Sequence, residues 1–90
     1  PHANSWKTPE YQPLVMRDAA HQIREGNTSI VGLMIESNIE AGNQPIPADL
    51  SQLRYGCSVT DACVDWAATE TMIRDTSEIL RDCLQKRSAA

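Results

Sequence analysis

The sequence contains no apolar run long enough to cross a membrane, because its longest such run is far shorter than the roughly 20 residues that a spanning helix requires. No signal peptide is evident. An excess of positive charge is also lacking, since the net charge is −4. These absences argue against a membrane protein and against a protein that binds nucleic acid or anionic membrane surfaces.

The cysteines match no structural framework. Cys57, Cys63 and Cys83 are odd in number and lack Cys-x-x-Cys spacing. Such a pattern does not support a set of disulfides or a zinc knuckle. We therefore expect three reduced thiols and a cytoplasmic location.

The length of 90 residues allows one small domain at most. The apolar fraction of 41% is ordinary and does not indicate disorder. The sequence begins at Pro1 without a methionine, and no helix or strand signal precedes His2. We therefore expect that the chain starts at a cut.

The most prominent feature present is the apolar run Ile30–Ile35, which is followed directly by Glu36. This continuous run predicts a strand over residues 29–36 that is covered on both faces, as in the parallel sheets of α/β proteins. Glu36 would then lie at the carboxyl end of the strand, where α/β folds place their functional groups. The alternative is that Glu36 is only the first polar residue of a loop.

Two amphipathic patterns flank the run and predict helices over residues 12–25 and 66–86. The first helix is expected to end at Gly26, and the second to begin after an N-cap at Asp65. Loops are expected over residues 1–8 and 37–56, and a second short strand over 57–61. The apolar stripes of the two helices consist of Met16, Ala19, Ala20 and Ile23, and of Met72, Thr76, Ile79, Leu80 and Cys83.

The element order predicts consecutive βα units of an α/β protein, with the first strand lying before Pro1. Three potential metal ligands then occupy equivalent places at the carboxyl edge of one parallel sheet: His2, Glu36 and Asp61. Imidazole and carboxylate groups suit a divalent transition metal. Spacing alone does not distinguish such a site from ordinary polar residues at loop edges.

Four motifs occur in a fixed order and together resemble one family. They are His2-Ala3-Asn4-Ser5, Gly32–Ser37, Gly42-Asn43-Gln44 and Tyr55–Cys63. In this order they resemble the C-terminal end of 3-deoxy-D-arabino-heptulosonate-7-phosphate (DAHP) synthases, in the class found in bacteria and yeast. The resemblance extends over essentially all 90 residues.

The resemblance implies a fold, a reaction and a metal. The family fold is a (β/α)8 TIM barrel, of which this chain would form about the last quarter. The family condenses phosphoenolpyruvate with erythrose 4-phosphate in the first step of the shikimate pathway, which supplies the aromatic amino acids. Its divalent metal ion, for which Mn, Fe, Co and Zn are all possible, is bound by Cys, His, Glu and Asp.

By this resemblance the metal ligands fall on His2, Glu36 and Asp61. The family's metal-binding cysteine lies near the start of the barrel and matches neither Cys57 nor Cys63. His2 and Asp61 are also the expected catalytic residues. His2 would position a water or a proton, and Asp61 would exchange a proton near the charge that develops on the aldehyde oxygen.

The 90-residue chain alone is expected to be inactive, because the fourth ligand and most of the phosphate-binding cations would lie upstream. A non-catalytic association or folding module derived from the same barrel is the alternative function. Self-association is expected in either case, because an apolar strand with open edges pairs readily with another chain.

Overall fold

The structure, a computed structural model, describes the backbone of residues 5–89 and the side chains of residues 5–86. Helix α1 spans Gln12–Arg24 and helix α2 spans Trp66–Ala89. Single turns of 3-10 helix occur at Pro9–Tyr11 and Leu50–Gln52. Neither α1 nor the described length of α2 is apolar enough to be a candidate membrane span.

Helix α1 covers all but the last residue of the range 12–25 that the sequence predicts. Pro13 lies in its first turn, where the missing N–H costs no hydrogen bond. At the other end, the N–H of Gly26 donates to the Ile23 carbonyl and the N–H of Asn27 donates to the Gln22 carbonyl. These two bonds form a Schellman motif, and Gly26 has the positive φ of 108° that the motif requires.

Helix α2 covers the predicted range 66–86 and continues to Ala89. Its N-cap is Asp65, whose carboxylate accepts a hydrogen bond of 2.8 Å from the backbone N–H of Ala68. The cap and the apolar stripe are local features of the sequence. Both can therefore form without help from distant residues.

The hydrophobic core lies between the two helices. Ala20 and Ile23 of α1 and Leu80 of α2 are its buried members. The Cys83 thiol donates to the Ile23 carbonyl at 3.4 Å, and Ile30 packs against the same cluster. The first residue of the central apolar run therefore contacts this core.

The predicted strand over 29–36 is not present, and this part of the α/β prediction is wrong for the described residues. Val31 is 91% exposed and Met34 is 64% exposed. A strand that is apolar on both faces needs neighbouring strands at its edges and covering layers on both sides. The described part of the chain offers this run one pair of helices and no regular strand.

The predicted strand over 57–61 is also absent, and short backbone pairings replace it. The structure records three isolated bridges: Ser37 with Val64, Gly42 with Cys63, and Asn43 with Ser58. The long connection over 37–56 is therefore folded back onto the segment that precedes α2. This pairing brings the carboxyl end of the apolar run close to the start of α2.

Candidate functional site

The expected metal ligands are distributed over three parts of the chain. Glu36 follows the apolar run and is partly buried, and Asp61 is exposed in the segment before α2. His2 lies outside the described residues. The geometry of the candidate site therefore rests on Glu36 and Asp61.

Backbone hydrogen bonds hold Glu36 from two sides. Its carbonyl accepts from the N–H of Val64 at 3.0 Å, and from Nε2 of Gln12 at 3.0 Å. Its own N–H donates to Oε1 of Gln12 at 2.9 Å. Residue 36 is thereby fixed against both the start of α1 and the segment that leads into α2.

Hydroxyl groups link the next residue to the first turn of α2. The Ser37 and Thr69 hydroxyls are hydrogen-bonded to each other, and Thr69 is buried. The Thr69 hydroxyl also bonds to the Asp65 carbonyl at 2.8 Å. The segment that carries Glu36 is thus attached to the helix start as well as to Val64.

Cys63 lies near both candidate carboxylates. Its backbone forms two hydrogen bonds with Gly42, of 2.8 and 3.0 Å. Partial burial raises the pKa of its thiol, a hydrogen bond with the Ser58 side chain opposes this rise, and the charges of Glu36 and Asp61 raise the pKa further. The N–H of Val64, the next residue, bonds the Glu36 carbonyl, so the backbone at Glu36 lies beside the segment that follows Asp61 although 25 positions separate Glu36 from Asp61.

The loop that carries Asp61 is held by the amide side chains of the Gly42-Asn43-Gln44 motif. Nδ2 of Asn43 donates to the Thr60 carbonyl at 2.9 Å. Gln44 is buried. It accepts from the N–H of Arg54 at 3.0 Å and donates to the carbonyls of Arg54 and Cys57 at 2.8 and 2.9 Å.

Gln12 and Gln44 are structural residues of this site that the sequence analysis missed. Each uses both ends of its amide to bond the N–H and the carbonyl of one distant residue, as a neighbouring strand would. Gln44 belongs to a recognised motif, but a glutamine in a loop gives no sign of being buried. The Gly42-Asn43-Gln44 motif singled out Gln44, but it did not reveal which groups the Gln44 side chain bonds.

Gly56 allows the close approach of two parts of the loop. Its φ is 75°, and a Cβ added there would lie 2.7 Å from Cβ of Ile39. The Gly56 carbonyl accepts a hydrogen bond of 2.9 Å from the N–H of Glu40. A larger residue would therefore push apart the segments that follow Glu36 and precede Asp61.

Two of the three expected metal ligands, Glu36 and Asp61, lie among the described residues. Residues 5–86 contain no group of three or more His, Cys, Asp and Glu side chains arranged to hold a metal ion. The Val64 N–H nevertheless bonds the Glu36 carbonyl, which joins Glu36 to the segment that carries Asp61, and carboxylate oxygens are suitable ligands for divalent cations. The donor chemistry of this pair would suit a divalent metal ion, but two carboxylates alone would leave most of its coordination positions to other groups.

Comparison with known proteins gives consistent matches along the chain. The family model described as the DAHP synthetase I family matches residues 1–74. The Tyr-sensitive phospho-2-dehydro-3-deoxyheptonate aldolase of Enterobacter agglomerans is 46% identical over 86 residues, which are 96% of this chain and 40% of that protein. The Tyr-sensitive enzyme of Escherichia coli K12 is 46% identical over 88 residues, which are 98% of this chain and 25% of that protein.

A solved structure gives the same result. The chain matches the phospho-2-dehydro-3-deoxyheptonate aldolase of Francisella tularensis with a TM-score of 0.80 and 42% sequence identity. The match covers 89% of this chain and 23% of that one. The chain thus spans between about a quarter and two fifths of the length of these relatives.

Proposed function

The chain belongs to the DAHP synthetase I family, and from this membership we propose that it forms the C-terminal part of a DAHP synthase. The complete enzyme would be a (β/α)8 barrel that condenses phosphoenolpyruvate with erythrose 4-phosphate. The matched relatives are named phospho-2-dehydro-3-deoxyheptonate aldolases, which supports this reaction class. The structural observation that carries the proposal is the 3.0 Å hydrogen bond from the Val64 N–H to the Glu36 carbonyl, which joins Glu36 to the segment that carries Asp61.

In this proposal His2, Glu36 and Asp61 bind a divalent metal ion, with Mn, Fe, Co and Zn as candidates. When bound, such an ion supplies Lewis acidity, which favours a transition state that gains negative charge. Glu36 and Asp61 offset the positive charge of the ion. Asp61 is exposed, so it is accessible for proton exchange with a substrate, whereas the backbone of Glu36 is held rigidly.

A chimaera tests the proposed function. The chain would replace the matching 88 residues of the Escherichia coli Tyr-sensitive enzyme, and phosphate release would be measured with phosphoenolpyruvate, erythrose 4-phosphate and Mn²⁺. We expect activity in the chimaera and a loss on the order of 10²-fold in its Glu36→Gln variant. Glu40→Gln is the control because Glu40 is an exposed carboxylate in the same loop.

The exposed apolar run supports a second candidate function. Val31 and Met34 are largely exposed, and such a surface is typical of an interaction site. The chain would then be a non-catalytic association or folding module that retains the motifs. A chimaera that folds but releases no phosphate would favour this alternative over the synthase.

A further inference from the structure

Gln12 is buried, which is unusual for a glutamine in the first turn of a helix. It is the first residue of α1 and is only 3% exposed. Its side chain leaves the helix and bonds both backbone polar groups of Glu36, accepting at 2.9 Å and donating at 3.0 Å. Two-point pairing of this kind is what an adjacent strand provides in a sheet.

The location of the Gln12 side chain is determined by the start of the helix. Pro9 begins a 3-10 turn that leads directly into α1, and the backbone N–H of Gln12 bonds to the Pro9 carbonyl. Pro13 restricts the next position in the same turn. The amide therefore extends from a constrained backbone and not from a mobile loop.

Part of the run before Glu36 is open to solvent. Val31 and Met34 are exposed, and no regular strand in the described part of the chain pairs with this run. On the other side, Val64 donates to the Glu36 carbonyl at 3.0 Å. Gln12 is therefore the group that bonds the N–H of Glu36 and completes the attachment of this residue.

We infer that Gln12 is a positioning residue for Glu36, holding its backbone so that the carboxylate is directed to the proposed metal site. The inference rests on the proposed function, in which Glu36 is a ligand. A ligand whose backbone is already fixed loses less conformational freedom when the metal binds. Loss of a supporting hydrogen bond behind a ligand commonly weakens metal binding by roughly 10–100-fold.

The test is Mn²⁺ binding by the chimaera described above, measured calorimetrically with the unaltered chain and with matched variants of it. Gln12→Met keeps the length of the side chain but removes both hydrogen bonds. We expect it to weaken binding about tenfold or more. Gln22→Met is the control, because Gln22 lies on the same helix, is exposed and bonds Asp18. The control should retain the unaltered affinity.

The Glu36→Gln variant tests whether Glu36 is a metal ligand, separately from the role of Gln12. This variant should weaken binding at least as much as Gln12→Met, and the double variant should bind no more weakly than Glu36→Gln alone, because Gln12 acts through Glu36. Amide hydrogen exchange provides a readout that needs no metal. The Glu36 N–H should exchange faster in Gln12→Met, while that of Ile23 in α1 stays protected.

The possible outcomes are distinct. Binding that depends on Glu36 but is unchanged in Gln12→Met would overturn the inference and leave the metal site standing. Unchanged binding in Glu36→Gln, or no Mn²⁺ binding by the unaltered chimaera, would overturn both. If circular dichroism shows that Gln12→Met has lost its helices, Gln12→Glu replaces it, since it keeps only the acceptor for the Glu36 N–H. Loss of the helices in that variant too would make Gln12 a general folding residue and overturn the inference.

Discussion

Two glutamine side chains in this molecule form backbone hydrogen bonds of the kind that neighbouring strands form in the sheet of an α/β protein. The amides of Gln12 and Gln44 each bond the N–H and the carbonyl of one residue that is distant in sequence. A hydrogen bond of this kind contributes about 0.5–1.5 kcal/mol net, and leaving a buried polar group without its partner costs about 1–3 kcal/mol. The loops around Glu36 and Cys57 are therefore ordered by specific polar contacts.

Alkylation of Cys63 tests the proximity of Glu36 to this thiol without any metal. Because the charge of Glu36 contributes to the raised pKa of the Cys63 thiol, Glu36→Gln should lower that pKa and increase the thiolate fraction at a given pH. The measurement is the pH dependence of iodoacetamide labelling of the Cys63 peptide by mass spectrometry, in the presence of a chelator. We expect the midpoint to shift to lower pH.

Glu40→Gln is the control for this measurement, because the charge of Glu40 is not among the causes of the raised Cys63 pKa. Its labelling midpoint should match that of the unaltered chain. A Glu36→Gln midpoint identical to the control would contradict the proximity of Glu36 and Cys63.

Helices and strands differ in where their backbone groups find hydrogen-bond partners. Helix α1 satisfies its backbone internally and ends in a Schellman motif at Gly26. Helix α2 starts with an Asp65 cap that depends on a residue three positions away. The run Ile30–Ile35 has no such local means of pairing its backbone, so it remains without regular structure.

Gly26→Ala tests the helix end. Because the φ of 108° is unfavourable for a residue with a Cβ, the substitution should destabilise the fold by roughly 1–2 kcal/mol. Thermal unfolding followed by circular dichroism is the measurement. Gly32→Ala is the matched control, because Gly32 has no positive φ and an added Cβ there meets nothing within 4 Å. Equal melting temperatures for the two variants would refute the role of Gly26.

The whole molecule is elongated and exposes much apolar surface. Its radius of gyration is 15.9 Å, against about 12 Å for a compact domain of 90 residues. Its extents of 55 × 21 × 18 Å reflect the length of α2, which has 24 residues. Large apolar side chains such as Val31 and Met34 lie open to solvent. This shape favours packing against additional protein.

Self-association of the isolated chain is therefore expected at micromolar concentration. Exposed side chains of this size gain roughly 1.5–3 kcal/mol each when they are buried. Sedimentation velocity should detect oligomers, and Val31→Lys combined with Met34→Lys should reduce them. Ile73→Lys, at an exposed apolar position of α2, is the control. A cooperatively melting monomer would show that no such contact is needed.

The isolated chain is also expected to lack synthase activity. By the family resemblance, the fourth metal ligand and most phosphate-binding cations lie outside it, and each lost transition-state contact costs on the order of 10²–10³ in rate. Phosphate release from phosphoenolpyruvate and erythrose 4-phosphate with Mn²⁺ should stay at background. Turnover by the pure chain would show that these 90 residues contain a complete site.

The sequence by itself determined the features that depend on neighbouring residues. The periodicity of the apolar residues, the Asp65 cap and the Gly26 terminator located α1 and α2 to within a few positions. The ordered motifs indicated the family, which the comparisons establish. These signals are local, so no knowledge of distant partners was needed to interpret them.

Only the tertiary structure decided how the distant segments meet. The run over 29–36 has the composition of a buried strand, but strand formation depends on partners that the described residues do not provide. The pairing of Gln12 with Glu36 spans 24 positions, and the hydrogen bond from the Val64 N–H to the Glu36 carbonyl depends on the folding of the loop between them. Such contacts arise from hydrogen bonds between side-chain and backbone groups that are remote in the sequence, and residue spacing does not encode them.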